Sequence, residues 1–311
     1  MREAPAEEGL TSYLAARAAQ VEAALDALLP PAEAFPSVVH EAMRYSVSAG
    51  GKRLRPLLTL AAAEASGGAV SAVLPAACAV ELIHTYSLIH DDLPSMDDSA
   101  TRRGRPTCHV VFGEAVAVLA GDALSALAFD LLARTLPPVP PAAVVRVVGE
   151  IATAIGTEGM VGGQVLDLLG ERRPQLPAMP SWPAGLQDAV RDIHSRKTGA
   201  LIRASVRAGA VLSGASDAVL EALSEYGGRL GLAFQIVDDI LDEVGEAARM
   251  GKGVQQDAQR AKLTFPAVWG LPRSREMAEA LTADAVAALA PLGAEGRRLG
   301  EVASWLLHRE A

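Results

Sequence analysis

Apolar residues recur along most of the chain at the spacing of an α-helix rather than in the alternating pattern of a strand. One stripe comprises Leu14, Ala18, Val21, Leu25 and Leu28, and the next comprises Val38, Ala42, Tyr45 and Ala49. Clusters of Gly and Pro separate stretches rich in Ala and Leu, which are strong helix formers. The pattern predicts an all-α fold, a large single-domain helical bundle over residues 1–311, with no β-hairpin.

The composition narrows the class of protein. Half of the 311 residues are apolar and 21% are charged, which is enough apolar surface for a folded core. A net charge of −9 argues against a nucleic-acid partner, because such partners need a basic surface. Cys78 and Cys108 form no Cys-x-x-Cys motif, so we expect reduced thiols. No signal-peptide pattern and no uncharged run of roughly 20 residues is found, so we expect a cytoplasmic protein without a membrane span.

Two acidic clusters each follow a strongly apolar stretch. Their aspartates are Asp91, Asp92 and Asp97 in the first cluster and Asp238, Asp239 and Asp242 in the second. Asp238 and Asp242 are four residues apart, so both project from one face of a helix. In the first cluster we expect a helix to run to Asp92 and Pro94 to force a turn that brings Asp97 towards Asp91. Because closely packed carboxylates repel each other unless a cation neutralises them, both clusters indicate Mg²⁺ binding.

Basic residues accompany the acidic clusters. Lys52 and Arg55 are three residues apart where a helix is predicted to begin, which places both on one side of it. The other candidates are Arg102 and Arg103, just after the first cluster, and Lys197, Lys252 and Lys262. Arg forks and Lys point charges beside Mg²⁺-binding carboxylates are suited to a pyrophosphate group.

Five segments in this order resemble the motifs of the trans-isoprenyl diphosphate synthases, also called the polyprenyl synthetase family. They are 50–56, 86–107, 159–164, 197–201 and 234–242. The segments from Tyr86 and Phe234 resemble the two aspartate-rich motifs of that family, and the resemblance spans about residues 49–266.

The resemblance implies a homodimeric all-α fold with the two acidic motifs on opposite walls of a central cavity. It implies head-to-tail condensation of isopentenyl diphosphate with an allylic diphosphate. Asp91 and Asp97 are expected to bind two Mg²⁺ ions and Asp238 a third, while the residues that support them through water are Asp92, Asp239 and Asp242. Developing pyrophosphate charge would be stabilised by these ions and by Lys and Arg.

The same resemblance assigns the substrate contacts. The allylic diphosphate is expected to bind Arg102, Lys197 and Lys252, and isopentenyl diphosphate is expected to bind Lys52, Arg55, His84 and Arg103. Lys262 belongs to the same substrate-binding set. The allyl cation is expected to be steadied by the Thr198 hydroxyl, the Gln235 amide oxygen and a backbone carbonyl near Lys197.

One segment departs from the family pattern. Gln255 and Ala261 stand where the family has glycines in the stretch 251–262, which puts the local backbone path in doubt because glycine reaches positive φ at little cost. Lys252, Asp257 and Lys262 keep their places.

The length of the product is expected to depend on the helix that carries Asp91. Tyr86 and Ser87, five and four residues before that aspartate, resemble the pair in bacterial farnesyl diphosphate synthases, which make a C15 product. The alternative is a geranylgeranyl diphosphate synthase with a C20 product. More distant alternatives are a class I terpene cyclase, which normally has an aromatic-lined pocket, and a non-catalytic prenyl synthase subunit. With 3 Trp, 4 Tyr and 5 Phe, the chain has few rings for a cyclase pocket.

Overall fold

The computed structural model describes residues 9–135, 139–171, 185–244 and 263–308, and helices make up most of them. The α-helices in chain order are α1 (Leu10–Leu28), α2 (Ser37–Val47), α3 (Leu54–Ala65), α4 (Val70–Asp91), α5 (Cys108–Phe112), α6 (Glu114–Ala133), α7 (Pro141–Ile155), α8 (Met160–Gly170), α9 (Leu186–His194), α10 (Ala200–Leu212), α11 (Asp217–Val244), α12 (Phe265–Trp269), α13 (Leu271–Ala288) and α14 (Arg297–Leu307). A π-helical turn, Ser195–Gly199, joins α9 to α10, and a 3₁₀ turn, Ala290–Gly296, precedes α14. The predicted all-α fold is confirmed.

Helices α3, α4, α10 and α11 form the centre of the bundle. Helix α4 packs against α3 and α6, while α10 packs against α3 and α11. The buried residues of these helices are mostly Leu, Ile, Val and Ala, and the large fully buried side chains include Leu58, Leu82, Ile83, Leu201 and Tyr226. Burial of this apolar surface is the main favourable term in folding. The acidic ends of α4 and α11 are therefore anchored by the best-buried helices of the fold.

A short β-hairpin contradicts the expectation of none. The strands β1 (Thr101–Arg102) and β2 (Arg105–Pro106) pair antiparallel, with Arg102 opposite Arg105. The two residues between them, Arg103 and Gly104, have φ of +52° and +73°, as a tight two-residue hairpin turn requires. The prediction was wrong because strands of two residues are too short to show alternation.

Helices α4 and α6 are each long and apolar enough to cross a membrane. Among the described residues, a third candidate arises only if the bent pair Leu271–Ala288 and Ala290–Leu307, which turns by 89°, is counted as one span. Within the protein, 61% of the apolar window of α4 is buried, against 39% of that of α6. The apolar surface of α4 thus serves mainly the core, whereas much of α6 lies at the surface. The absence of a membrane span stays a prediction.

A buried ion pair fixes the start of α3. Arg53 precedes this helix in the left-handed region, with φ of +47°. Its guanidinium bonds Glu22 at 2.7 Å, Glu81 of α4 at 2.7 Å and the Val47 carbonyl at 2.6 Å. The Arg53 and Glu81 side chains are only 1% and 3% exposed. This pair joins the loop before α3 to the middle of α4.

We expect Glu81→Ala to lower the free energy of unfolding by about 3 kcal/mol, because it leaves the Arg53 guanidinium buried without its most buried partner. Denaturant unfolding followed by circular dichroism measures the change.

The matched control is Asp130→Ala, which removes a carboxylate from the exposed ion pair with Arg134. It should change the free energy of unfolding by less than about 1 kcal/mol. Equal losses in the two variants would contradict a structural role for the buried pair.

Candidate active site

The first acidic motif lies where α4 ends and the chain turns back. The helix ends at Asp91, one residue before the predicted Asp92. The Asp97 amide donates to the Asp91 carbonyl at 2.8 Å, and the Ser99 amide donates to the Asp92 carbonyl at 3.1 Å. The predicted return of Asp97 towards Asp91 is therefore confirmed, and Pro94 lies within the turn.

Asp92 is buried and holds Arg102 of the hairpin. Arg102 Nε lies 3.0 and 2.8 Å from the two carboxylate oxygens, and its Nη2 lies 2.7 Å from Oδ1. Burial raises the pKa of Asp92 and outweighs the opposite effect of Arg102. Because the contact uses two guanidinium nitrogens, Asp92 fixes the orientation of Arg102 next to Asp91 and Asp97.

Lys197 stands between the first acidic motif and α8. Its Nζ donates to Asp167 Oδ2 at 2.6 Å. Burial lowers the pKa of Lys197, but Asp167, Asp91 and Asp97 raise it more, so the net pKa is raised and the ammonium stays charged. Lys197 therefore contacts α8 directly and lies near enough to Asp91 and Asp97 for their charges to act on its pKa.

Sequence reasoning missed Asp167 and gave no role to Gln164. The two residues are three apart on α8 and share one face of it. Both amide atoms of the Gln164 side chain are buried and have no hydrogen-bond partner within the described parts of the chain. The sequence did contain a signal for these two residues. An amide and a carboxylate three residues apart on one helix face follow directly after a run of glycines.

A chain of hydrogen bonds joins the π-helical turn to the second acidic motif. Thr198 Oγ1 donates to Gln235 Oε1 at 2.8 Å, and Gln235 Nε2 donates to Asp239 Oδ1 at 2.9 Å. These bonds fix the orientation of the Gln235 amide. Thr198 and Gln235, which were both expected to steady the allyl cation, thus lie in direct contact.

The three aspartates of the second motif take different positions on α11. Asp238 is half-buried, whereas Asp239 and Asp242 are buried. Asp239 accepts the Phe265 amide at 3.0 Å, and His194 Nε2 lies 3.5 Å from the same carboxylate oxygen. Successive helical residues differ by about 100°, so Asp239 turns away from the face shared by Asp238 and Asp242. Asp239 therefore contacts protein groups directly, and its support of a metal through water stays a prediction.

Arg102 and Lys197 form one basic group. A second basic group, made of Arg55, Arg103 and His84, lies where α3 faces α4. Arg55 is buried, and its Nε has no hydrogen-bond partner among the residues that the structure describes. Burial lowers the pKa of Arg55 to about 10, although Glu81 and Asp238 act in the opposite direction. Burial, followed by Arg55 and Arg103, lowers the pKa of His84 well below its usual value, so the imidazole is neutral at pH 7.

The hairpin and the loop before α3 meet at this group. Arg103 Nη1 donates to the Gly50 carbonyl. A Cβ added at Gly51 would lie 2.6 Å from the Arg103 Cζ, and Gly51 has φ of +129°, so only glycine suits this place.

Lys52 is exposed and precedes α3, which begins at Leu54. The expectation that Lys52 and Arg55 share one side of a helix was therefore wrong, because the helix begins later than predicted.

The residues expected to limit product length lie one turn before Asp91 on α4. Tyr86 is half-buried, and its ring meets the His90 ring edge-on with the centroids 5.7 Å apart. Burial, and to a lesser degree Asp91, raises the pKa of Tyr86 to about 12, so its hydroxyl stays protonated. Ser87 Oγ donates to the His84 carbonyl at 2.8 Å and is thereby turned back onto the helix.

Four residues of the expected site lie outside the described residues. They are Lys252 and Lys262, with the glycine replacements Gln255 and Ala261, and Asp257 of the same stretch lies outside them as well.

The donors fit Mg²⁺, although the described part of the chain contains no group of three or more His, Cys, Asp or Glu that could hold a metal ion by itself. Mg²⁺ is commonly held by one or two carboxylates together with waters and substrate phosphates. Asp91 and Asp97 at one motif and Asp238 at the other carry carboxylate oxygens that would suit such coordination. Binding would then require a phosphate-bearing substrate to complete the coordination.

Comparisons with known proteins agree with this arrangement. The model of the family described as polyprenyl synthetase matches residues 36–288. The chain is 49% identical over 283 residues to heterodimeric geranylgeranyl pyrophosphate synthase large subunit 1, chloroplastic, of Arabidopsis thaliana, with 90% of this chain and 74% of that protein covered.

Solved structures give the same result. An FPP/GFPP synthase from Zymomonas mobilis superposes with a TM-score of 0.81 at 35% identity, covering 96% of this chain and 98% of that one. The geranyltransferase from Helicobacter pylori, complexed with magnesium and isoprenyl diphosphate, gives 0.80 at 32% identity and covers 98% of both chains. With the motifs in place on the same fold, the chain belongs to the polyprenyl synthetase family.

Proposed function

We propose that the protein is a Mg²⁺-dependent short-chain trans-prenyl diphosphate synthase that condenses isopentenyl diphosphate with an allylic diphosphate. The observation that carries the proposal is Arg55, a buried guanidinium whose Nε lacks a hydrogen-bond partner within the described residues. A buried charge in this position is costly unless a ligand of opposite charge completes it. A diphosphate supplies that charge.

Two separate basic groups support two diphosphate substrates. Arg102 and Lys197 lie near the first acidic motif, where they would hold the allylic diphosphate beside the metal. Arg55, Arg103 and neutral His84 form the second group, which would hold isopentenyl diphosphate.

The two basic groups and the acidic motifs together disfavour a class I terpene cyclase and a non-catalytic prenyl synthase subunit. A terpene cyclase acts on one diphosphate and has no need of the second basic group. A non-catalytic subunit has no need of the full set of aspartates.

The side chains divide the chemical work between them. Bound Mg²⁺ would supply positive charge that stabilises the departing pyrophosphate. Arg102 and Lys197 would hold that pyrophosphate as the allylic C–O bond breaks. The Thr198 hydroxyl oxygen and the Gln235 amide oxygen would face the cation, and both are held by hydrogen bonds before the substrate arrives.

The condensation needs no protein nucleophile, because the two substrates account for every bond that forms or breaks. The double bond of isopentenyl diphosphate attacks the allyl cation and forms the new C–C bond. A proton leaves the carbon next to the new cation, and the released pyrophosphate accepts it. The product carries the diphosphate of the isopentenyl unit.

A homodimer through α6 forms part of the proposal. Leu119, which is 58% exposed, and Val118 lie on α6, while Val110 and Val111 are exposed on the adjoining α5. Apolar side chains grouped on neighbouring helices mark an interaction surface. A second copy of the chain would bury them.

We propose that the product has 15 carbons. The bulky Tyr86 side chain, on α4 about one turn before Asp91, would limit the depth of the cavity that holds the growing chain. A C20 product is the second candidate, favoured by the geranylgeranyl synthase name of the Arabidopsis relative.

The metal assignment is tested by Asp91→Ala and Asp238→Ala. Each variant should lower kcat at least about 100-fold while the circular dichroism spectrum is unchanged, because each removes an expected Mg²⁺ ligand. Glu243→Ala, an exposed carboxylate at the same end of α11, is the control and should keep the rate of the parent protein. Near-normal turnover in either aspartate variant would show that the assignment is wrong.

The second basic group is tested by Arg55→Met. Loss of a charged contact should raise KM for isopentenyl diphosphate about 10- to 100-fold and leave KM for the allylic diphosphate within the experimental error. Steady-state kinetics with each substrate varied in turn provides the measurement. An equal rise in both KM values would contradict the separation of the two sites.

Chain length is tested by Tyr86→Ala, which should lengthen the product beyond that of the parent protein because it deepens the cavity. Tyr86→Phe keeps the ring and should keep the product. Chromatography of the dephosphorylated products measures their length. An unchanged distribution in Tyr86→Ala would place the floor of the cavity elsewhere.

A further inference from the structure

We infer that Gly163 and Gly231 are positioning residues that clamp the π-helical turn Ser195–Gly199 from two sides. Through this turn they set where Lys197 and Thr198 stand relative to the reacting carbon. The inference rests on the proposed function and adds two residues to the machinery, neither of which carries a functional group.

Helix α8 contacts the turn through backbone atoms. A Cβ added at Gly163 would lie 2.3 Å from the Lys197 amide nitrogen and 2.7 Å from the Lys197 Cα. Both atoms belong to the main chain, so no side-chain rotation could relieve the overlap. The absence of a side chain at Gly163 therefore fixes how closely the turn approaches α8.

Helix α11 contacts the other side of the same turn. A Cβ added at Gly231 would lie 2.7 Å from the Gly199 Cα and 3.3 Å from its carbonyl oxygen. One helical turn further along α11, Gln235 accepts the Thr198 hydroxyl at 2.8 Å. The close approach at Gly231 thus sets the spacing over which this hydrogen bond forms.

The local geometry makes such a clamp necessary. A π-helical turn is rare, occurs as a single turn within a helix, and tends to lie at functional sites. Lys197 and Thr198 follow one another in this turn, and they bond to different helices, α8 and α11. A displacement of about 1 Å at groups that face a developing charge can cost about 100-fold in rate.

The test compares Gly231→Ala with Gly228→Ala, its neighbour on the same helix. A Cβ at Gly228 would meet nothing closer than the Arg203 Cδ at 4.0 Å, so this change should be harmless. Gly231→Ala should lower kcat about 10- to 100-fold with both KM values unchanged. It should also raise the fraction of allylic substrate released as an alcohol, because water captures a cation that is less well steadied.

A second readout does not depend on activity. If Gly231 sets the Thr198–Gln235 hydrogen bond, Thr198→Val should lower the thermal midpoint in the parent protein but have little further effect in Gly231→Ala. Strictly additive shifts would overturn the inference, whether or not the protein makes prenyl diphosphates.

The outcomes separate the two claims. Absence of condensation by the parent protein would contradict the proposed function alone, and the thermal cycle then decides the inference. If the parent protein is active and Gly231→Ala keeps its kcat, the inference is wrong. Should Gly231→Ala fail to fold, Gly163→Ala tests the opposite side of the turn in the same way, with the same kcat loss expected.

Discussion

Compensation of buried charge is the constraint on which the site depends. The bundle brings carboxylates from α4, α8 and α11 close to cations from three other segments, the first turn of α3, the hairpin and the π-helical turn. Arg53 is matched inside the protein by Glu81, and Lys197 is matched by Asp167. Arg55 is buried as well, yet its Nε has no hydrogen-bond partner in the described ranges. A second diphosphate would complete the hydrogen bonding of this guanidinium.

Segments of irregular backbone determine where these charged side chains lie, and the regular helices pack against those segments and hold them in place. The left-handed residue Arg53 starts α3, the turn at Arg103 and Gly104 aims the hairpin, and the π-helical turn 195–199 carries Lys197. Each of these three segments depends on a close backbone approach or on a positive φ, and each is stabilised by a buried contact. The long core helices then set the distance between the two acidic motifs.

The sequence predicted what depends on local spacing. Helical periodicity gave the all-α fold, and the i, i+4 spacing placed Asp238 and Asp242 on one face. Proline chemistry predicted the return of Asp97 towards Asp91. These features arise from neighbouring residues, so they can be read without knowledge of the tertiary structure.

Features that depend on distant contacts were missed. Asp167 becomes informative only when α8 packs against the turn that holds Lys197. The hairpin is too short to show a pattern, and the late start of α3 follows from the Arg53–Glu81 pair, whose members are far apart in sequence. Product length depends on the depth of the cavity beyond Tyr86, a tertiary property that one residue's identity does not define.

In the proposed function, two diphosphate-bearing substrates bind together, and one C–C bond forms for each pyrophosphate released. The most direct measurement is the stoichiometry of the reaction with purified protein, Mg²⁺, isopentenyl diphosphate and an allylic diphosphate. The proposed condensation predicts that one isopentenyl diphosphate disappears for each pyrophosphate released, while the allylic diphosphate is lengthened by one C5 unit. Pyrophosphate release that needs no isopentenyl diphosphate, or no reaction with any allylic diphosphate, would contradict it.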